Sequence, residues 1–432
     1  FGMPRGLDGK RYSIFGPGQA ILAAPLVFLA KHIPWPQTWH IPTSHYVSQQ
    51  SIKNYFQNRQ VQEHKAHQIR FFSSFFNSFI GALTVFLFWF VAKEATGCEK
   101  GALFAQASFA FGSLFWPYTG TFFSEPLATA FALAALYCLL LFRREGKWEQ
   151  GALSGLFLGL ATTVHLTAIL FSPFYLFFLF RLTKDKGQWR PLVSAIIIFG
   201  LFLSALGYFN YARFGSPFET GRGVDVREEY QYGKFISPLS GLYGLTLSGG
   251  RGLLLFCPIV LFALYAWPAW HRQQPLLSSV ILGAFLFRLL FIASRSDWYG
   301  GFCLGPRYLL QVIPLLLIPL AHGASKLLES RNWPFRLLFV FLLLCVCQQI
   351  YFCTGELFYW LHFQKFELLL TKTRVTDIEF ASSWEFTVLF DLWQGRTGPW
   401  WAAAWKVSPF HCALILVLFL APFSYIFWKR LN

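Results

Sequence analysis

Long apolar runs broken by short polar stretches set the character of this chain. A run of about 20 apolar residues is what an α-helix needs to cross the hydrocarbon core of a bilayer. Eleven spans are expected: 70–92, 101–118, 122–142, 151–164, 166–181, 192–211, 253–270, 275–294, 308–323, 335–353 and 410–428. The 151–181 run is too long for one ordinary span, and His165 between Thr163 and Thr167 marks the expected break. Residues 17–33 (PGQAILAAPLVFLAKHI) are apolar but short. Pro17 suits a first helical turn, so a helix lying along the membrane surface is expected there. Residues 380–405 carry Trp384, Trp393, Trp400, Trp401 and Trp405, and tryptophan favours the membrane–water boundary, so this segment is expected to skim the bilayer. The fold class expected is an all-α polytopic membrane protein of about 11 transmembrane helices with interfacial helices on the outer face. Its parts are an outer segment 1–69, a transmembrane core 70–353 with outer loops 212–252 and 295–307, an outer segment 354–409, and a last helix with its cytoplasmic end at 410–432.

Composition narrows the class. Charged residues are 13% of the chain, against about 25% in soluble proteins. Apolar residues are 55% and aromatics 20%. A soluble enzyme, a disordered chain and a coiled coil are excluded. The net charge of +16 fits cytoplasmic loops, anionic headgroups or an anionic substrate rather than nucleic acid. The eight cysteines show no CxxC pair and no zinc spacing.

Loop charge predicts orientation. The short connections 93–100, 143–150, 182–191, 271–274, 324–334 and 429–432 are about one-third basic, against about one in nine in 1–69, 212–252, 295–307 and 354–409. The short loops are expected inside and the long ones outside. Chemistry should then sit at the outer face, where the long loops converge.

Several polar residues stand out there. Glu125, in TGTFFSEPLATAF, begins an apolar helix; it reads either as an acid favoured by the helix N-terminus or as a functional carboxylate. Arg288 lies inside ILGAFLFRLLFIAS, roughly 9 Å below the outer end at 1.5 Å per residue. It can reach outward or meet an anion in a wet cavity. The segment 294–310, SRSDWYGGFCLGPRYLL, gathers Arg295, Asp297, Tyr299, Arg307 and Tyr308 around glycines that admit a ligand to the backbone. The loop 212–252 adds Arg222 and Arg251. His64 and His67, three apart beside Glu63, read as a solvated polar segment rather than a metal pair. Gly151, Gly155 and Gly159 recur every four residues, which predicts close helix packing. No Walker A loop, dinucleotide fingerprint, HExxH or GxSxG is present.

The stretches DGKRYSIFGPGQAILAAP (8–25), TFFSEPLATAFALAALY (121–137), YFNYARFGSPFETG (208–221), GLTLSGGRGLLLFCPIVL (244–261) and DWYGGFCLGPRYLLQVIPLLLIPLA (297–321) resemble bacterial membrane glycosyltransferases of the C superfamily. The likeness is to protein O-mannosyltransferases and lipid A aminoarabinose transferases. It covers most of 8–321 in order; from 335 on it amounts only to helices plus an outer segment.

The resemblance implies transfer of a sugar from a polyprenyl-phosphate carrier to a lipid, glycan or protein acceptor on the periplasmic side of a bacterial inner membrane. It implies no nucleotide and no nucleic acid, and leaves a divalent metal open. It implies that the family's first helix and the catalytic acid after it lie upstream of Phe1. Asp8, in DGK, is a second acidic candidate although it does not match that acid. Glu125 is then the main catalytic candidate of this chain. Arg307, Tyr308, Arg288, Arg251, Arg222, Lys10, Arg11, Tyr12, Asp297, Tyr299 and His165 are the candidates for donor and phosphate binding. A ligase or polymerase joining whole lipid-linked glycans is the alternative. A transporter or flippase fits less well, since only Arg288 and His165 sit at membrane depth.

Overall fold

The computed structural model describes residues 4–33, 63–221, 234–301, 303–330, 333–354 and 377–383. Arg222, the 410–428 span and nearly all of 354–409 lie outside them. The described residues are mostly helical, with two isolated β-bridges and no strand. The chain folds as an all-α polytopic membrane protein.

The elements run α1 Gly18–His32, α2 Glu63–Thr96, α3 Glu99–Gly112, α4 Phe115–Thr119, α5 Glu125–Glu145, α6 Trp148–Val164, a 3-10 helix Leu166–Phe171, α7 Ser172–Lys186, α8 Arg190–Phe214, α9 Pro238–Thr246, α10 Leu253–Phe256, α11 Val260–Gln273, α12 Pro275–Ala293, a 3-10 helix Arg307–Val312, α13 Ile313–Ser330, α14 Trp333–Thr354 and α15 Asp377–Ser382. Among the described residues, seven helical segments are long and apolar enough to cross a membrane. The expected spans 101–118 and 253–270 are shorter or broken, while 151–164 lies whole within α6. The first stops at Gly112, and Ser113 is extended. In the second, Pro258 disfavours a helical residue before it, so Cys257 leaves the helix and α11 starts afresh.

The bundle grades from a dry centre to a rim. The Arg307–Ser325 segment is 83% buried and Arg190–Phe214 only 11%. α13 packs on α3 and α11, while α5 packs on α6 and α2. The glycines at 151, 155 and 159 form the seam between α6 and α8: a Cβ on Gly155 would meet the Ala195 backbone, and one on Gly159 the Phe202 ring.

The two ends differ. At the end with short connections, Trp270 Nε1 donates to the Ala95 carbonyl, and Arg143 donates to Gln274 and the Glu94 carbonyl. At the opposite end the N-terminal residues fold over the helices. A tight hairpin bridges Arg5 and Arg11, and α1 follows it, packing on α2 and on the end of α6. Gly16 and Gly18 sit against the backbone of Thr163 and Val164. Ile21, Phe28 and Leu29 on α1 remain exposed.

Candidate active site

Glu125 opens α5, one residue after Ser124 and one before Pro126. Pro126 has no N–H to lose at that position and presets the helical turn. The turn ahead of it is pinned from two sides. Asn77 of α2 donates to the carbonyls of Thr121 and Phe123, both at 2.7 Å, and Gln19 of α1 donates to those of Phe122 and Phe123. Backbone groups that would otherwise be orphaned at this depth are thereby satisfied, and the carboxylate is fixed in place.

Glu125 is 2% exposed, and its Oε1 lies 3.2 Å from Arg307 Nε and 3.5 Å from His165 Nε2. Its Oε2 has no hydrogen-bond partner. An acid this deep persists only when countercharge or a helix N-terminus supports it, and here both do.

The two partners arrive on broken backbone. His165 is extended (φ −143°, ψ 109°) between α6 and the 3-10 helix 166–171. Arg307 begins the second 3-10 helix, after Gly305 at φ 58° and Pro306. A side chain at Gly305 would be strained at that φ and would meet Leu114 and Phe256. The Arg307 guanidinium lies 4.4 Å over the Phe123 ring and 5.0 Å over Tyr308. Among the described residues, its Nη1 and Nη2 carry no hydrogen bond.

Other candidate arginines are engaged elsewhere. Arg251 donates to the carbonyls of Gly250, Tyr299 and Gly301, which holds the 299–301 turn against α10. Arg288 donates to the Tyr308 carbonyl at 2.8 Å, to the Thr167 carbonyl at 2.8 Å and to Thr167 Oγ1 at 2.9 Å. Asp297 is chelated by Arg295 through two bonds of 2.8 and 2.7 Å.

The DGK group sits apart from Glu125 in the hairpin. Asp8 accepts from the Tyr12 hydroxyl and the Lys10 N–H, and the Tyr12 bond holds its carboxyl below the usual range. Lys10 and Arg11 are exposed. The hairpin docks on the end of α8: Leu7 N–H donates to the Arg213 carbonyl, and Arg213 donates to Ser13 O and Asn210 Oδ1. The structure thus gathers Glu125, His165, Arg307 and Tyr308, with Arg288 behind them, and separates these from Asp8, Lys10, Arg11 and Tyr12.

Thr167, Phe123, Asn77 and Gln19 complete the cluster without having been singled out as site residues. The only sequence signal was Thr167 at the break beside His165. Among the described residues no three of His, Cys, Asp and Glu gather as metal ligands. A cation at Glu125 would share its oxygen with a guanidinium that is always charged.

Below the site, α1, α2, α5 and α6 enclose an apolar groove of about 760 Å³. Leu22, Phe75, Phe79, Leu127 and Phe131 line it. Leu127, Ala130, Phe131 and Ala134 turn one face of α5 to this groove.

Residues 63–208 match the family described as dolichyl-phosphate-mannose-protein mannosyltransferase. The match spans about a third of the chain and includes Glu125 and His165, with Arg307 beyond its end. No curated protein matches the chain. An all-helical membrane bundle with this match is similar to membrane glycosyltransferases of the GT-C type.

Proposed function

We propose that the chain transfers a sugar from a polyprenyl-phosphate donor to a hydroxyl-bearing acceptor at the outer face of the membrane. The observation that carries the reading is Arg307: its Nε lies 3.2 Å from Glu125 Oε1, and among the described residues no hydrogen bond occupies the guanidinium. Two parallel N–H groups on a planar cation suit two phosphate oxygens. The apolar groove between α1, α2, α5 and α6 suits the polyprenyl chain of the same donor.

The chemistry follows from these groups. The acceptor oxygen attacks the anomeric carbon, and the bond from that carbon to the phosphate oxygen breaks. Negative charge builds on the departing phosphate, so its contact with Arg307 strengthens as the reaction proceeds. Glu125 steadies the guanidinium through Oε1, and its unpartnered Oε2 accepts the proton that the acceptor hydroxyl loses. The products are the glycosylated acceptor and polyprenyl phosphate.

Arg307→Lys tests the reading. A lysine keeps the charge but lacks the fork. In the full-length protein, transfer from a polyprenyl-phosphate sugar is expected to fall about 100-fold, as for loss of a fixed donor to a developing anion, with membrane insertion intact. Normal turnover and normal donor binding in the lysine variant would overturn the phosphate-clamp role.

A further inference from the structure

Arg288 is fully buried in α12, where a lone charge is costly. Its Nε, Nη1 and Nη2 reach three acceptors, and all three belong to the two broken segments that present His165 and Arg307. Thr167 and Tyr308 are each the second residue of a 3-10 helix, and a carbonyl oxygen has a second lone pair with which to accept the guanidinium beside a helical N–H. One cation therefore ties both breaks together.

The contact with Thr167 reaches further. Thr167 Oγ1 accepts from Arg288 Nη2 and lies 2.8 Å from His165 Nδ1. A threonine hydroxyl has one proton and two lone pairs. With a guanidinium donating to one lone pair, the hydroxyl proton points away from the cation, and among the described residues His165 Nδ1 is the one acceptor recorded for that proton. An imidazole that accepts at Nδ1 carries its proton on Nε2 when neutral. Nε2 is the nitrogen 3.5 Å from Glu125.

We infer that Thr167, held by Arg288, is a positioning residue that fixes His165 as the Nε2–H tautomer, so that the imidazole presents a donor to the Glu125 carboxylate. Oε1 then faces His165 Nε2 and Arg307 Nε together, and Oε2 is left as the unpartnered oxygen. Arg288 acts here on Thr167 and the backbone, not on a substrate phosphate.

The kinetic part of the test rests on the transfer reading; the spectroscopic part does not. Nitrogen-15 NMR of ring-labelled, full-length protein in lipid, with His165 assigned by loss of its signal in His165→Gln, reads the tautomer directly. The wild type is expected to show Nδ1 unprotonated and Nε2 protonated. Thr167→Val should admit the other tautomer and lower kcat about tenfold, as outer partners of a functional histidine do, with a smaller change in the donor KM. Thr167→Ser restores the hydroxyl and should recover most of the rate. A wild-type spectrum with Nδ1 protonated overturns the inference, and so does a folded Thr167→Val protein with unchanged tautomer and kcat. If Thr167→Val does not fold, the wild-type spectrum decides. If no transfer occurs with any lipid-phosphate sugar, the functional reading fails while the spectrum still decides this one.

Discussion

The two ends of the bundle hold the same kinds of charged residue in opposite settings. At the short-connection end, Arg144 pairs with Glu94 and Glu145, and Lys93 with Glu99, with the Arg144 side chain 53% exposed. At the other end, Glu125 meets Arg307 and His165 at 2% exposure. Exposed pairs contribute about 0–1 kcal/mol because water competes for both partners. A buried pair gains little over an apolar pair of the same shape, yet losing one member costs about 3–5 kcal/mol. Stability alone gives the second arrangement no advantage. Its one unpartnered carboxylate oxygen and its open guanidinium edge are what a reaction can use.

The comparison can be broken at several points. Arg307→Lys, with its expected hundredfold loss of transfer, is the largest effect. Next comes Glu125→Ala, which strands a buried arginine; a loss of about 3–5 kcal/mol is expected, read as a lowered unfolding midpoint in detergent. An unchanged midpoint would mean that Arg307 finds water or another partner. Gly155→Leu puts a branched side chain into the Ala195 backbone at the α6–α8 seam. Overpacking of this kind costs about 1–3 kcal/mol, and α8 should become more accessible to protease at its ends. The smallest effect is Arg144→Ala, expected to change stability by less than about 1 kcal/mol. Orientation sharpens the same contrast: single cysteines near 216 should react with an impermeant thiol reagent in intact cells, and those near 146 should not. Reaction at 146 would reverse the proposed sidedness.

Much of this was legible in the sequence because a charge in an apolar run is conspicuous. Glu125, Arg288 and Arg307 stood out for that reason, and so did the glycine seam. The destination of each guanidinium was not legible. Arg251 binds carbonyls of a turn and Arg288 those of residues just after a helix break, and where the backbone breaks and turns depends on tertiary packing. The shortened α3 and α11 escaped for a related reason: the apolar run continues through Ser113 and Pro258 while the helix does not.

The pairing of Glu125 with Arg307 also has a timing. The ribosome makes the acid first, and most of the chain's core follows before its arginine appears. At about 5–20 residues per second, the interval is on the order of ten seconds or more. Throughout it the α5 segment has its carboxylate and no guanidinium, and an ionised carboxylate is not stable in hydrocarbon. The nascent chain must therefore carry Glu125 protonated, or hold the head of α5 among the lipid headgroups, until the 307–325 segment is inserted. Burial of the Glu125–Arg307 pair thus belongs to the late steps of biogenesis.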